Sequence, residues 1–153
     1  MKTLVIGYGN PGRLDDGLGP SFAEGLASRD LPGVAVDSDY QLSIEDAEAA
    51  SRFDAVVFVD ASVSCAEPFE FRVLEPASEM SFTTHDVSPG AVLALAWRLF
   101  GSSVRGYTLA IRGYEFDEFG ERLSARAVAN RGAALEFLVS ALARGALETA
   151  AGV

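Results

Sequence analysis

Histidine and cysteine each occur once in the 153 residues, as His85 and Cys65, and there is a single tryptophan. One cysteine cannot build an internal disulfide framework or a cysteine-based zinc site, which fits a reducing compartment. Beside a strand end, Cys65 reads as a small buried hydrophobe rather than a catalytic thiol. A lone histidine excludes the His-Glu-x-x-His helix of zinc peptidases, and no Gly-x-Ser-x-Gly elbow is present. There is no run of about 18 apolar residues to span a membrane, and the first residues have neither the charged start nor the long apolar stretch of a signal peptide. Positive charge is also scarce. The 12 Lys and Arg are scattered singly among 22 Asp and Glu, for a net charge of -10, which speaks against nucleic acid and anionic membrane surfaces as partners. The 49% of hydrophobic residues suffices for one core, so a single domain over residues 1–153 is expected, cytoplasmic and monomeric when free.

The apolar patterning alternates strands with helices. Residues 3 to 7 form a near-continuous apolar strand of the kind buried on both faces, and residues 20 to 29 follow as a helix with Phe22 and Leu26 one turn apart. Val34 to Asp37 is a second strand. Ser43, with Asp46 three residues on, starts a short helix over Ile44 to Ser51. Ala55 to Asp60 is the most apolar strand and ends on a charge. Phe69 to Leu74 alternates, but the connection before it is shorter than the dozen residues of a parallel crossover, so it reads as an antiparallel edge strand. Ser88-Pro89 pairs an N-cap with a first-turn proline ahead of an apolar helix over Ala91 to Phe100, stopped by Gly101. Tyr107 to Arg112 is the fifth strand, and a long helix runs from Ser124 to about Arg144. This order predicts a three-layer α/β fold: a mostly parallel five-stranded sheet with helices on both faces and one antiparallel edge strand.

In such sheets ligands bind where the carboxyl ends of the strands open a crevice. The loop after the first strand reads Gly7-Tyr8-Gly9-Asn10-Pro11-Gly12-Arg13-Leu14-Asp15-Asp16-Gly17. Its glycines suit a phosphate, but a phosphate cradle finished with two acids is self-defeating: unit charges about 4 Å apart at an effective dielectric near 20 repel by about 4 kcal/mol. A cation is the better match. Asp16 in this loop, Asp60 at the end of the third strand and His85 before the Ser88 helix are placed to reach one crevice. Two carboxylates and an imidazole suit nickel, zinc or a similar divalent ion with positions left open. Plainer roles stay open for each: Asp16 as a cap of the following helix, Asp60 as an acceptor for backbone amides at its strand end, His85 as a hydrogen-bonded loop residue.

Taken together, Gly7-Tyr8-Gly9-Asn10 with Asp15-Asp16-Gly17-Leu18-Gly19, then Val57-Phe58-Val59-Asp60-Ala61, then Thr83-Thr84-His85 with Ser88-Pro89 resemble the maturation endopeptidases of [NiFe]-hydrogenases, in the family's order, from residue 3 to the last helix. The resemblance implies an enzyme that removes the C-terminal extension of a hydrogenase large-subunit precursor after nickel insertion. It implies that Asp16, Asp60 and His85 bind the metal, that the partner is the nickel-loaded precursor, and that no organic cofactor is needed. Some members carry Glu at the first ligand position, and Asp reaches about 1.5 Å less. The loop after the second strand, often glycine-rich in the family, here reads Asp37-Ser38-Asp39-Tyr40-Gln41-Leu42-Ser43. With Gly113-Tyr114-Glu115-Phe116 it looks more like members serving cytoplasmic bidirectional or cofactor-linked hydrogenases. Asp37 and Gln41 fall on the crevice rim as candidate contacts for the substrate peptide, or as solvated loop residues.

Two mechanisms remain open at this level. Nickel seated in the substrate is sensed by Asp16, Asp60 and His85, which positions the scissile bond; alternatively Asp16 and Asp60 share a proton and activate water as an aspartic-type pair. Among rival functions, Gly7-x-Gly9-x-x-Gly12 satisfies a dinucleotide-binding fingerprint with Asp37 as its ribose acid, although Pro11 and Asp15-Asp16-Gly17 delay the helix that fingerprint needs. A non-catalytic nickel-binding chaperone would dock on the same precursor without cutting it. The Gly-Asn-Pro-Gly stretch also resembles peptidyl-tRNA hydrolases, but those place a histidine soon after this loop and need a basic surface.

Overall fold

The apolar run Thr3–Tyr8 forms β1, buried at every position but the last, as a strand covered on both faces must be. The computed structural model describes residues 1–78 and 87–153. Along the chain follow a single 3-10 turn at Leu14–Gly17, α1 at Leu18–Ala27, β2 at Val34–Asp39, α2 at Ile44–Ala50, β3 at Ala55–Ser62 and β4 at Phe69–Leu74. Then come α3 at Pro89–Arg98, β5 at Arg105–Arg112, α4 at Ala125–Ala143 and a last short α5 at Leu147–Ala150.

The five strands form one sheet in the order β2-β1-β3-β5-β4. The first three pairings are parallel, and β4 runs antiparallel to β5 at the edge, as its short connection predicts. Alternation along each strand sends side chains to two cores. Val5, Val57, Val59, Leu109 and Ile111 pack with Phe22 and Leu26 of α1 and Ala134 and Leu138 of α4. Leu4, Ile6, Val56 and Phe58 pack on the other face with Ala47 and Ala50 of α2 and Val92, Leu93 and Ala96 of α3. The fully buried Phe22 alone contributes about 2–3 kcal/mol of transfer free energy.

Helix ends follow local chemistry. Ser88 Oγ accepts from Ala91 N–H at 3.1 Å, Ser124 Oγ accepts from Ala127 N–H at 3.2 Å, and Ser43 N–H donates to the Asp46 carboxylate at 2.8 Å. α1 begins two residues earlier than the sequence pattern placed it, because Pro20 sits inside the first turn, where a missing N–H costs nothing. α3 likewise starts at Pro89 and ends at Arg98. Cys65 is buried, its thiol 3.6 Å from the Ala110 carbonyl. No described helix is long and apolar enough to cross a membrane.

Candidate functional site

The glycines after β1 are there for backbone contact. A Cβ on Gly7 would collide with the Gly19 carbonyl, and one on Gly19 would collide with the Tyr8 backbone and stand 2.7 Å from Val59 O. The start of α1 is thereby pressed onto the ends of β1 and β3, which places the 3-10 turn carrying Asp16 beside the end of β3 carrying Asp60. Gly9 adopts φ +141°, a left-handed backbone that side chains rarely tolerate.

The loop's amides are spent internally. Asn10 N–H donates to Asp16 Oδ2 at 2.9 Å, Gly12 N–H to Asn10 Oδ1 at 2.9 Å, Arg13 N–H to Asn10 O and Asp16 N–H to Arg13 O, both at 3.1 Å. Four of the loop's backbone donors are thus already engaged within the loop and are not free to serve a pyrophosphate. Asp16 does not cap the helix: the N-cap of α1 is Gly17, with no side-chain bond. Among the described residues no hydrogen bond engages Asp16 Oδ1.

Asp60 is a largely buried carboxylate, and burial dominates its electrostatics. The register Gly7 with Val59 puts Tyr8 and Asp60 next along β1 and β3, on the face lined by Ile6 and Phe58. Burial, together with the negative charge of Asp16, pushes the Asp60 carboxyl up to about 6, against the lowering effect of its bonds to Ala61 N–H and the Tyr8 phenol. The Ala61 bond, at 2.8 Å, is the backbone role the sequence allowed for Asp60. Burial and the Asp60 charge push the Tyr8 phenol far above its ordinary value. Two carboxylates near one another have the donor chemistry that a divalent cation takes. His85, the third predicted donor, lies outside the described residues. Among those described, no group of three or more His, Cys, Asp and Glu side chains is arranged to hold a metal.

The two rim candidates separate. Asp37 is exposed on β2 and lines an open cleft of about 580 Å³ with Pro11, Pro20, Ser21 and Glu24. Neither Asp16 nor Asp60 lines that cleft. With Asp39, Asp37 adds negative charge around Asp46, whose carboxyl is pushed up first by burial and then by these two neighbours. Gln41 is exposed in the loop before α2.

No family model and no curated protein matches the chain. Solved structures do. The chain superposes on the [NiFe] hydrogenase maturation protease HycI from Thermococcus kodakarensis with a TM-score of 0.71 and 22% identity, covering 91% of this chain and 90% of that one. The hydrogenase maturating endopeptidase HybD from E. coli gives 0.70 and 21%, over 95% and 94% of the two chains. A hydrogenase 2 maturation peptidase from a Thaumarchaeota archaeon gives 0.68 and 22%, over 94% and 99%. The chain has the fold of the hydrogenase maturation proteases. Within the maturation-protease fold of this chain, Asp16 and Asp60 fall at the carboxyl ends of the parallel strands, as the topology of open α/β sheets predicts for a ligand site.

Two residues with structural consequences for the site escaped the sequence reading. Tyr8, given no role beyond its place in the glycine loop, closes β1, and its phenol faces Asp60. Asp15, read together with Asp16 as one acidic pair, has a different fate. It is wholly buried and accepts from Tyr114 N–H at 2.8 Å, Glu115 N–H at 3.0 Å, Ser124 N–H at 2.7 Å and Ser124 Oγ–H at 2.7 Å. Burial pushes its carboxyl up, but these four bonds outweigh burial and hold it below the usual carboxylate range. Its partners lie about a hundred positions away, so no local motif announces it.

Proposed function

We propose that this protein is an endopeptidase that removes the C-terminal extension of a [NiFe]-hydrogenase large-subunit precursor after nickel insertion, using the precursor's nickel as its recognition element. The observation that carries the reading is a buried carboxylate, Asp60, standing near Asp16 at the carboxyl ends of the sheet, in a fold shared with hydrogenase maturation proteases. A crevice that raises the proton affinity of its own carboxylate is relieved by a divalent cation, and a substrate arriving with nickel supplies one.

In this reading Asp16, Asp60 and His85 hold the nickel of the substrate and so fix the extension over the crevice, with Asp37 and Gln41 contacting the peptide. Fixing the scissile bond removes the entropic part of the barrier. The protein needs no organic cofactor of its own, and it acts as a monomer in the cytoplasm. A second reading rests on the same pair: a carboxyl at about 6 beside a second carboxyl is suited to share a proton and activate water, as in aspartic peptidases.

The test is electrophoresis of nickel-loaded precursor before and after incubation. Wild-type protein shortens it, and His85→Ala does not. Unchanged cleavage by His85→Ala overturns nickel sensing in favour of the acid pair, and wild-type protein that binds but never shortens the precursor is a chaperone.

A further inference from the structure

We propose that Asp15 is the positioning residue of the site: by pinning the Gly12–Asp16 turn to the segment between β5 and α4, it sets where the Asp16 carboxylate stands. This rests on the role assigned to Asp16 above. The turn is fastened at each successive residue. Gly120 N–H donates to Gly12 O at 2.8 Å, Arg13 Nε–H to Phe116 O at 3.0 Å, Leu14 N–H to Gly120 O at 2.9 Å and Asp15 N–H to Glu115 O at 2.9 Å. The Asp15 side chain closes the set with its four bonds to Tyr114, Glu115 and Ser124.

Such fastening is needed because the turn is strained. Leu14 is a non-glycine residue at φ +51°, a conformation that persists only where surrounding contacts over-determine it. Asp16 follows directly in the 3-10 turn, and its own bonds, from its N–H to Arg13 O and from Asn10 N–H to its Oδ2, depend on that turn. A charged acceptor is required. Asn at position 15 would present an NH₂ to the N–H groups of Tyr114, Glu115 or Ser124 and leave donors facing donors. Ser124 serves twice, its hydroxyl donating to Asp15 and accepting from Ala127 N–H, so the start of α4 and the Asp16 turn share one anchor.

The experiment compares Asp15→Asn, Ser124→Ala and Ser124→Thr with Leu142→Ala, a truncation of a partly buried leucine near the far end of α4 that makes none of these hydrogen bonds. Amide hydrogen exchange of Asn10 reports directly on the Asp16 carboxylate that accepts it, whether or not the protein is a peptidase. Protection at Asn10 is expected to fall at least tenfold in Asp15→Asn and by a smaller factor in Ser124→Ala. It should stay intact in Ser124→Thr, which keeps the hydroxyl, and in Leu142→Ala at a matched loss of Tm. On nickel-loaded precursor the cleavage rate should fall in the same order. Should Asp15→Asn fail to fold, Ser124→Ala against Ser124→Thr decides. Undiminished Asn10 protection in Asp15→Asn or Ser124→Ala, or an equal loss in Leu142→Ala, overturns the proposal. Failure of wild-type protein to shorten the precursor overturns the peptidase reading instead, and the exchange measurement then decides the role of Asp15 alone.

Discussion

Replacing Asp60 by Asn should make the protein more stable and inactive at once. In the folded state burial and the charge of Asp16 raise this carboxyl from an ordinary 3.8 to about 6. A group that binds its proton more tightly when folded stabilises the fold below its unfolded value, and that stabilisation is lost as pH rises through its folded value. At about 1.4 kcal/mol per pH decade, the interval corresponds to about 3 kcal/mol of strain carried at neutral pH. Asn is close to isosteric and keeps an oxygen for Ala61 N–H, but it carries no charge to desolvate. Asp60→Asn is therefore expected to gain up to about 3 kcal/mol at pH 7.5, or about 6–12 °C in Tm for a chain of this size, and much less at pH 4. Thermal or urea unfolding of both proteins at the two pH values measures this, with precursor cleavage assayed in parallel. A variant no more stable than wild type at pH 7.5, or an equal gain at both pH values, refutes the electrostatic argument. A more stable variant that still cleaves removes Asp60 from the reaction.

Methyl groups at two glycines should have opposite effects. Gly19→Ala drives a methyl into the Tyr8 backbone and should cost about 3 kcal/mol or more in urea unfolding, whereas Gly132→Ala, exposed in α4 with open space around it, should gain about 1 kcal/mol. Ser88→Ala removes the cap of α3 and should cost about 1 kcal/mol in the same assay. Calorimetric titration with NAD should give no binding heat, because the amides of the glycine loop are already engaged; saturable binding would restore the dinucleotide reading.

Much of this architecture is written locally. Ala55 to Asp60 is apolar at every position but its last, so a buried strand ending at the crevice could be read directly, and the few residues before Phe69 forced the antiparallel edge. Asp16 and Asp60 were legible as a pair because loop and strand end are fixed by topology. The parts that were not legible depend on contacts between distant segments. Asp15 and Asp16 are indistinguishable by neighbourhood, and only the arrival of Tyr114, Glu115 and Ser124 makes one of them a buried anchor. Tyr8 follows the core periodicity of its strand, and the register of β1 against β3 is what sets it against Asp60. Pro20 shifted the apparent start of α1 because a proline in the first turn of a helix looks, in sequence, like the boundary itself.

Anomalous diffraction from a crystal soaked with nickel tests the central claim most directly. One peak is expected between the carboxylates of Asp16 and Asp60 and the His85 imidazole. A peak elsewhere, or none between the two carboxylates, would contradict it.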